Sequence, residues 1–272
     1  MNNRRINFEN ISNARDLGGL RRADGSVIAS GLMIRSANMA NASEADVEVL
    51  RRKYRLSEII DLRTESEQRQ MPDVVIDHAI HWSIPVFDER VVGISHEKNT
   101  GENEILKSLP QMDDLYYMLV TRDSCRKNLG RAAQKVMEHD YARGSILWHC
   151  TEGKDRCGLL TVVLLLALYV DRRQIVEDYL VTNEVNEPKA EMYYQKILAA
   201  GRTKTEAVAV KNMFLAKEAY LNKAFSSIDE HYSDIDEFLC AGLDIPRAAV
   251  EKFRSNVLLQ SKSVLKSVHR PR

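Results

Sequence analysis

The chain has 272 residues, 44% of them hydrophobic and 29% charged, which is enough for one sizeable core and ordinary for a globular protein. Lys plus Arg and Asp plus Glu both number 39, so the formal net charge is zero. That balance argues against a nucleic-acid binder working through a bulk positive field, and any anion site must be local.

The opening residues, MNNRRINFENISNARDLGG, hold two arginines with no apolar stretch behind them and do not read as a secretory signal. Short β-branched runs then alternate with helical patterns, so the expected fold class is α/β, a mainly parallel sheet flanked by helices. Expected strands are 26–29, 32–35, 58–62, 80–84 and 145–149. Ser43, with Glu44 and Asp46, reads as a capping box before Val47, Leu50 and Tyr54. A polar stretch at about 93–113, containing Gly101 and Pro110, reads as a surface insert. The longest apolar run, 159–170, falls well short of the roughly 20 residues that span a bilayer and reads as a buried core helix. Asp171 with Gln174 opens the next helix. Residues at about 188–228 read as two helices broken near Gly201, the second carrying Val210, Met213, Phe214, Leu221, Ala224 and Phe225. That pair is either a lid over a site or a plain addition to the core. Asp244, just before Ile245 and Pro246, is expected to open the last helix. The whole of 1–272 reads as one domain.

Four cysteines, Cys125, Cys150, Cys157 and Cys240, form no CxxC pair and no disulfide framework. A reducing, cytoplasmic setting follows, although export without a standard signal stays open. Cys125 and Cys240 sit in helical patterns and read as packing residues.

The decisive stretch is SILWHCTEGKDRCG, residues 145–158. An apolar strand runs into a polar turn, and the turn into a strongly apolar helix. Successive N–H groups of such a turn, with the helix N-terminus, form an anion cradle. The C-terminal ends of parallel strands are also where α/β sheets bind ligands. Thr151, Glu152, Gly153, Lys154, Asp155 and Arg156 are the expected phosphate-binding residues. A thiol at the head of the cradle is stabilised as its anion by the same donors, which makes Cys150 the expected nucleophile. Arg156 can return over the cradle and grip two phosphate oxygens as a fork, which a lysine cannot do. Gly153 relieves crowding where the backbone turns tightly. A P-loop nucleotide hydrolase does not fit: GxxxxGK[ST] is missing, and Asp155 stands where a magnesium-binding Ser or Thr would follow the lysine. A buried cysteine beside a solvated charge run would not need Cys, Gly, Lys, Asp and Arg together.

These residues resemble the HCxxGKDRTG signature of bacterial tyrosine phosphatases that also act on phosphoinositides, an atypical branch of the cysteine phosphatases. NARDLGG at 13–19 is similar to that family's NxRDLGG, GLMIRS at 31–36 to its GxxxRS, IIDLRTE at 59–65 to its IDLR, and YLVTN at 179–183 to its YLxTN. The resemblance implies a phosphatase fold that needs no metal or organic cofactor and works through a phosphocysteine intermediate. Its substrates would be phosphotyrosine, phosphoserine or phosphothreonine in proteins, or inositol lipids. It puts the general acid inside the loop, at Asp155. Asp88, after the strand at 80–84, is the rival, much as a mobile acid loop supplies the proton in other cysteine phosphatases. The chain departs from the family pattern at two positions. Cys157 stands where a hydroxyl is thought to hydrogen-bond the nucleophile's sulfur, and a thiol is a weaker donor, so slow phosphoenzyme hydrolysis is expected. Its closeness to Cys150 also suggests a reversible disulfide, or merely a small buried thiol. Glu152 stands where a small residue is common and, if it faces the mouth, would discourage highly anionic lipids.

His149 is expected to orient the loop and support the thiolate rather than bind a metal. Lys154 would meet a second phosphate or an acidic substrate flank, or lie in solvent. Asp61 borders the site or pairs with Arg63 or a neighbouring arginine, and Arg15 and Asp16 brace the loop. The competing substrate is a phosphoinositide or inositol phosphate, favoured slightly by Lys154 and by Lys262, Lys266, His269, Arg270 and Arg272. A catalytically weak phospho-binding module is the alternative from another class. A thiol-redox pair of Cys150 and Cys157 would not explain the residues between them.

Overall fold

A computed structural model describes residues 4–87 and 112–260. Asp88, positions 93–111 of the polar insert, and the basic residues Lys262, Lys266, His269, Arg270 and Arg272 lie outside the described residues. In chain order the first half comprises β1 (Arg15–Asp16), β2 (Val27–Ile28), β3 (Met33–Ser36), α1 (Glu44–Arg52), β4 (Glu58–Asp61), α2 (Glu65–Gln70) and β5 (Ile80–Ser83). Helices α3 (Met112–Thr121) and α4 (Asp123–Glu138) lead to β6 (Ile146–His149) and α5 (Asp155–Ala167). Then come α6 (Arg172–Leu180), α7 (Thr182–Ala199), α8 (Lys204–Phe214) and α9 (Glu218–His231). A short turn of helix α10 (Ile235–Glu237) and a π-turn at Phe238–Gly242 precede α11 (Arg247–Val257) and β7 (Leu258–Leu259).

Five strands form one sheet in the order β1-β3-β6-β4-β5. Within it β3, β6, β4 and β5 run parallel and the edge strand β1 is antiparallel. This is the α/β, mainly parallel class expected from the sequence. The register aligns Ser36, His149 and Asp61 across β3, β6 and β4, so three strand ends finish in one row and the chain leaves β6 from its middle. Side chains alternate along a strand, which gives the sheet two apolar faces. Leu147 joins Ile34, Ile59 and, from α1, Leu50 on one face. Ile146 and Trp148 join Met33 and Ile60 on the other, beneath α4, α5, α9 and α11. All residues of α5 from Arg156 to Ala167 are buried, so the long apolar run is a core helix. No helix among the described residues is long and apolar enough to cross a membrane.

Three features differ from the sequence reading. β2 lies outside the main sheet and pairs with β7, near the other end of the described chain. Asp244 does not cap α11: it sits in the left-handed region at φ +58, and the helix begins after Pro246 with no side-chain cap. An aspartate tolerates that conformation, and the turn leaving the π-turn uses it. Where two helices were expected at about 188–228, three occur, α7 to α9, and the first of them starts at Thr182. The break falls at Leu215–Lys217 because side chains from elsewhere claim its backbone. Asn186 donates to Phe214 O at 3.0 Å, and Asn183 both donates to Ala216 O at 2.9 Å and accepts from its N–H at 2.7 Å. The periodicity ran through the break because Val210, Met213 and Phe214 fill a small cluster between α7 and α8, whereas Leu221, Ala224 and Phe225 belong to the main core.

Candidate active site

Cys150 follows directly on β6, and residues 151–154 bend the chain into the N-terminus of α5. The loop is held through its carbonyls. Asn38 donates from its backbone and its side chain to Thr151 O, at 3.2 and 3.0 Å. Asn13 Nδ2 donates to Glu152 O at 2.9 Å and Gly153 O at 3.1 Å, and Arg35 donates to Gly153 O at 2.7 Å. With its carbonyls drawn outward, the loop can turn its N–H groups inward, as an anion cradle requires. Gly153 has φ +64, and a Cβ there would lie 2.6 Å from Ser36 O and 2.7 Å from Ala37 N, so only glycine fits.

Arg156, one residue into α5, is almost wholly buried. Its guanidinium forks onto Glu67, at 2.5 Å to Oε2 and 2.7 Å to Oε1, and reaches Thr151 Oγ1 at 3.2 Å. Thr151 donates to Glu67 Oε1 at 2.6 Å. Glu67 is itself placed by the capping box of α2, accepting from Thr64 N at 2.8 Å while its own N–H donates to Thr64 Oγ1 at 3.3 Å. Burial pushes the Glu67 carboxyl up, but Arg156 outweighs it and holds it at about 2. Sequence reasoning missed Glu67; the Thr64/Glu67 capping pattern was its only local signal.

Beneath the loop, Asp178 of α6 accepts from Arg15 at 3.2 Å, Arg35 at 3.2 Å and Arg4 at 2.7 Å. Arg15 and Arg35 are fully buried. Burial raises the Asp178 carboxyl, but the three guanidiniums drive it well below the usual carboxylate range. Arg15 also donates to Asn13 Oδ1 at 2.7 Å, which fixes the amide that holds the loop. Asp16 instead braces the start of β3, accepting from Gly18 N at 2.9 Å and Gly31 N at 2.6 Å.

His149 is buried at the end of β6, with Nε2 3.1 Å from Asp73 Oδ2 and Nδ1 3.9 Å from Asp61 Oδ1. The Asp73 approach is close but off the donor direction, leaving Nε2 without an aligned hydrogen bond. Burial opposes a charge on the ring; Asp61 and Asp73 outweigh it and raise the His149 pKa. Donor atoms of Asp61, Asp73 and His149 lie within 4.8 Å of one another, a spacing a cation could use. The Arg63 guanidinium already bridges the two carboxylates, at 2.8 Å to each. Asp61 thus serves Arg63.

Asp155 opens α5 with its side chain partly exposed. Its Oδ1 accepts from Tyr116 Oη at 2.8 Å and lies 3.5 Å from Lys154 Nζ. Lys154 departs from the expectation of a solvated lysine. Its side chain is fully buried, and Nζ donates to Met213 O and, at 3.2 Å, to Leu215 O. Its four apolar stem carbons and these two carbonyls draw it under the α8–α9 break, away from water. Glu152 does not stand free at the mouth either: Lys189 of α7 donates to it. The Cys157 thiol donates to Trp148 O at 3.6 Å, and burial pushes its pKa up to about 11.

A parallel sheet whose middle strand ends in a cysteine-led loop, closed by a forked arginine, is the framework of a cysteine-dependent phosphatase. The model of the tyrosine phosphatase family matches residues 6–259, and the chain belongs to that family. A Cupriavidus necator protein, named provisionally as a tyrosine-protein phosphatase, is 30% identical over 240 residues, 88% of this chain and 84% of its own. The triple specificity protein phosphatase PtpB of Mycobacterium tuberculosis is 26% identical over 257 residues, 84% of this chain and 91% of its own. The crystal structure of P. aeruginosa TpbA aligns with 77% of this chain and 96% of its own, at a TM-score of 0.34 and 13% identity, too distant to bear on the site.

Proposed function

We propose that the chain hydrolyses phosphotyrosine, and also phosphoserine and phosphothreonine, in proteins, with Cys150 as nucleophile. The observation that carries this is the Arg156 fork, held by Glu67 and Thr151 at the end of the loop that Cys150 begins. The Cys150 sulfur attacks phosphorus while Arg156 and the loop N–H groups hold the non-bridging oxygens. The bond from phosphorus to the ester oxygen breaks, and Asp155 gives that oxygen its proton. Water then attacks the phosphocysteine and hands a proton to Asp155. Phosphate leaves and the thiolate returns. We place the enzyme in the cytoplasm, because a thiol nucleophile needs a reducing compartment.

One observation favours a second substrate. Lys189 pairs with Glu152, which removes the repulsion that an unpaired glutamate would offer a phosphoinositide. PtpB carries a triple-specificity name, consistent with a broad site. Buried Lys154, in contrast, lends a lipid head group nothing.

The test is phosphate release from phosphotyrosine, phosphoserine and phosphothreonine peptides and from phosphatidylinositol phosphates, comparing wild type with Cys150→Ser. Release that vanishes in the variant supports the phosphatase, and the ranking decides protein against lipid. Binding of every substrate with no release from any would sink it in favour of a phospho-binding module.

A further inference from the structure

Tyr116 comes from α3, outside all the motifs that mark the loop, yet it is fully buried against Asp155. Its ring stacks on Tyr220 of α9 at 5.6 Å and meets Tyr179 of α6 edge-on at 6.1 Å. Its hydroxyl lies 2.8 Å from Asp155 Oδ1 and 2.5 Å from the Tyr179 hydroxyl. Tyr116 donates to Asp155 Oδ1; a phenol has one proton to give, so Tyr179 is the donor to Tyr116. Burial pushes both phenols well above their ordinary pKa, so the relay keeps its protons at any working pH. Lys154 adds its ammonium at 3.5 Å from the same Oδ1. Oδ2 makes no hydrogen bond among the described residues.

We propose that Tyr116 is a positioning residue for proton donation: by donating to Oδ1 of Asp155 it assigns the transferable proton to Oδ2. In the protonated acid Oδ1 then plays the carbonyl oxygen, accepting from the phenol. Oδ2 carries the hydrogen toward the ester oxygen as its bond to phosphorus breaks. Without the phenol the carboxyl can rotate about its Cβ–Cγ bond and place the proton on either oxygen. This inference rests on Asp155 as the acid.

The experiment compares kcat/KM for wild type, Tyr116→Phe and Asp155→Asn on aryl phosphates, from dinitrophenyl phosphate (a good leaving group) to phenyl phosphate (a poor one). Only the poor leaving group needs the proton. Tyr116→Phe is expected to lose about tenfold or more on phenyl phosphate and less than about twofold on the dinitrophenyl ester, with Asp155→Asn losing more in the same pattern. An equal loss on every ester, or none, in Tyr116→Phe alone would overturn the positioning role and leave Asp155 as the acid. A flat pattern in both variants would overturn the acid assignment as well and point to Asp88. Should Tyr116→Phe not fold, as its thermal midpoint would show, Tyr179→Phe removes the donor to the same hydroxyl. It is expected to show a smaller loss of the same leaving-group dependence, and a uniform loss there would overturn the relay.

Discussion

Glu67 does two things with one carboxylate: it closes the capping box of α2 and orients Arg156, the arginine proposed to hold phosphate. Glu67→Gln keeps the shape and removes the charge, leaving Arg156 buried with half its fork unmatched. Breaking one partner of a buried pair costs about 3–5 kcal/mol, and the amide's partial replacement puts this variant toward the low end. A thermal melt should show that loss, and phosphate release at saturating substrate should fall about a hundredfold as the guanidinium loses its orientation. A variant as stable and as active as wild type would mean the fork is not set by Glu67. Cys157 illustrates a different point at the same scale. Its position was legible as a departure from the family pattern, but its direction was not. The thiol faces a strand carbonyl, and with its pKa near 11 it stays protonated and is a poor partner for disulfide exchange.

Among elements, the loop between β6 and α5 and the break between α8 and α9 carry most of the functional consequence. Gly153→Ala puts an ordinary residue at φ +64 and drives its Cβ into Ser36 O and Ala37 N. Left-handed strain alone costs about 1–3 kcal/mol. The displaced loop should cut kcat/KM by about a hundredfold or more, while the sheet's far-ultraviolet signature is kept. Lys154→Met tests the break. It removes the ammonium that gathers Met213 O and Leu215 O, so amide hydrogen exchange should quicken across 204–217 and stay unchanged in β3, β4 and β6. Unchanged exchange at 204–217 would show that Asn183 and Asn186 hold the break by themselves. The alternation of short strands and helices was readable because each element's periodicity is local. The break was not, because distant side chains, and not the residues at the break, terminate the helix.

At the scale of the whole molecule, the balanced charge seen in the sequence is unevenly spent. Three arginines share Asp178 below the loop, so this cluster is net positive even though the chain is neutral. Acid should expose this arrangement. Glu67 and Asp73 are held at about 2, Asp73 by His149 and Arg63 against burial, and Asp178 lies lower still. A carboxyl depressed in the fold contributes its full stability above its unfolded pKa of about 4 and loses it as pH falls through the folded value. His149, raised in the fold, works the other way: its share is present below about 6.5 and fades as pH climbs through its folded value. The thermal midpoint should therefore fall steeply below about pH 4 and decline gently above neutrality. A midpoint that holds to about pH 3 would show that these carboxyls are not paired in solution.

The sequence by itself determined the α/β class, four of the five main-sheet strands to within a residue, and the residues of the loop. Those features depend on neighbours in the chain: alternation, capping, and a run from strand through turn to helix. Only the tertiary structure decided what each loop residue faces. Glu67, Asp178 and Tyr116 reach the site from separate helices, Lys154 turns inward to serve carbonyls at 213 and 215, and Glu152 is claimed by Lys189. A buried charge or hydroxyl must find its partner in space, and nothing in local spacing says which distant helix will bring it.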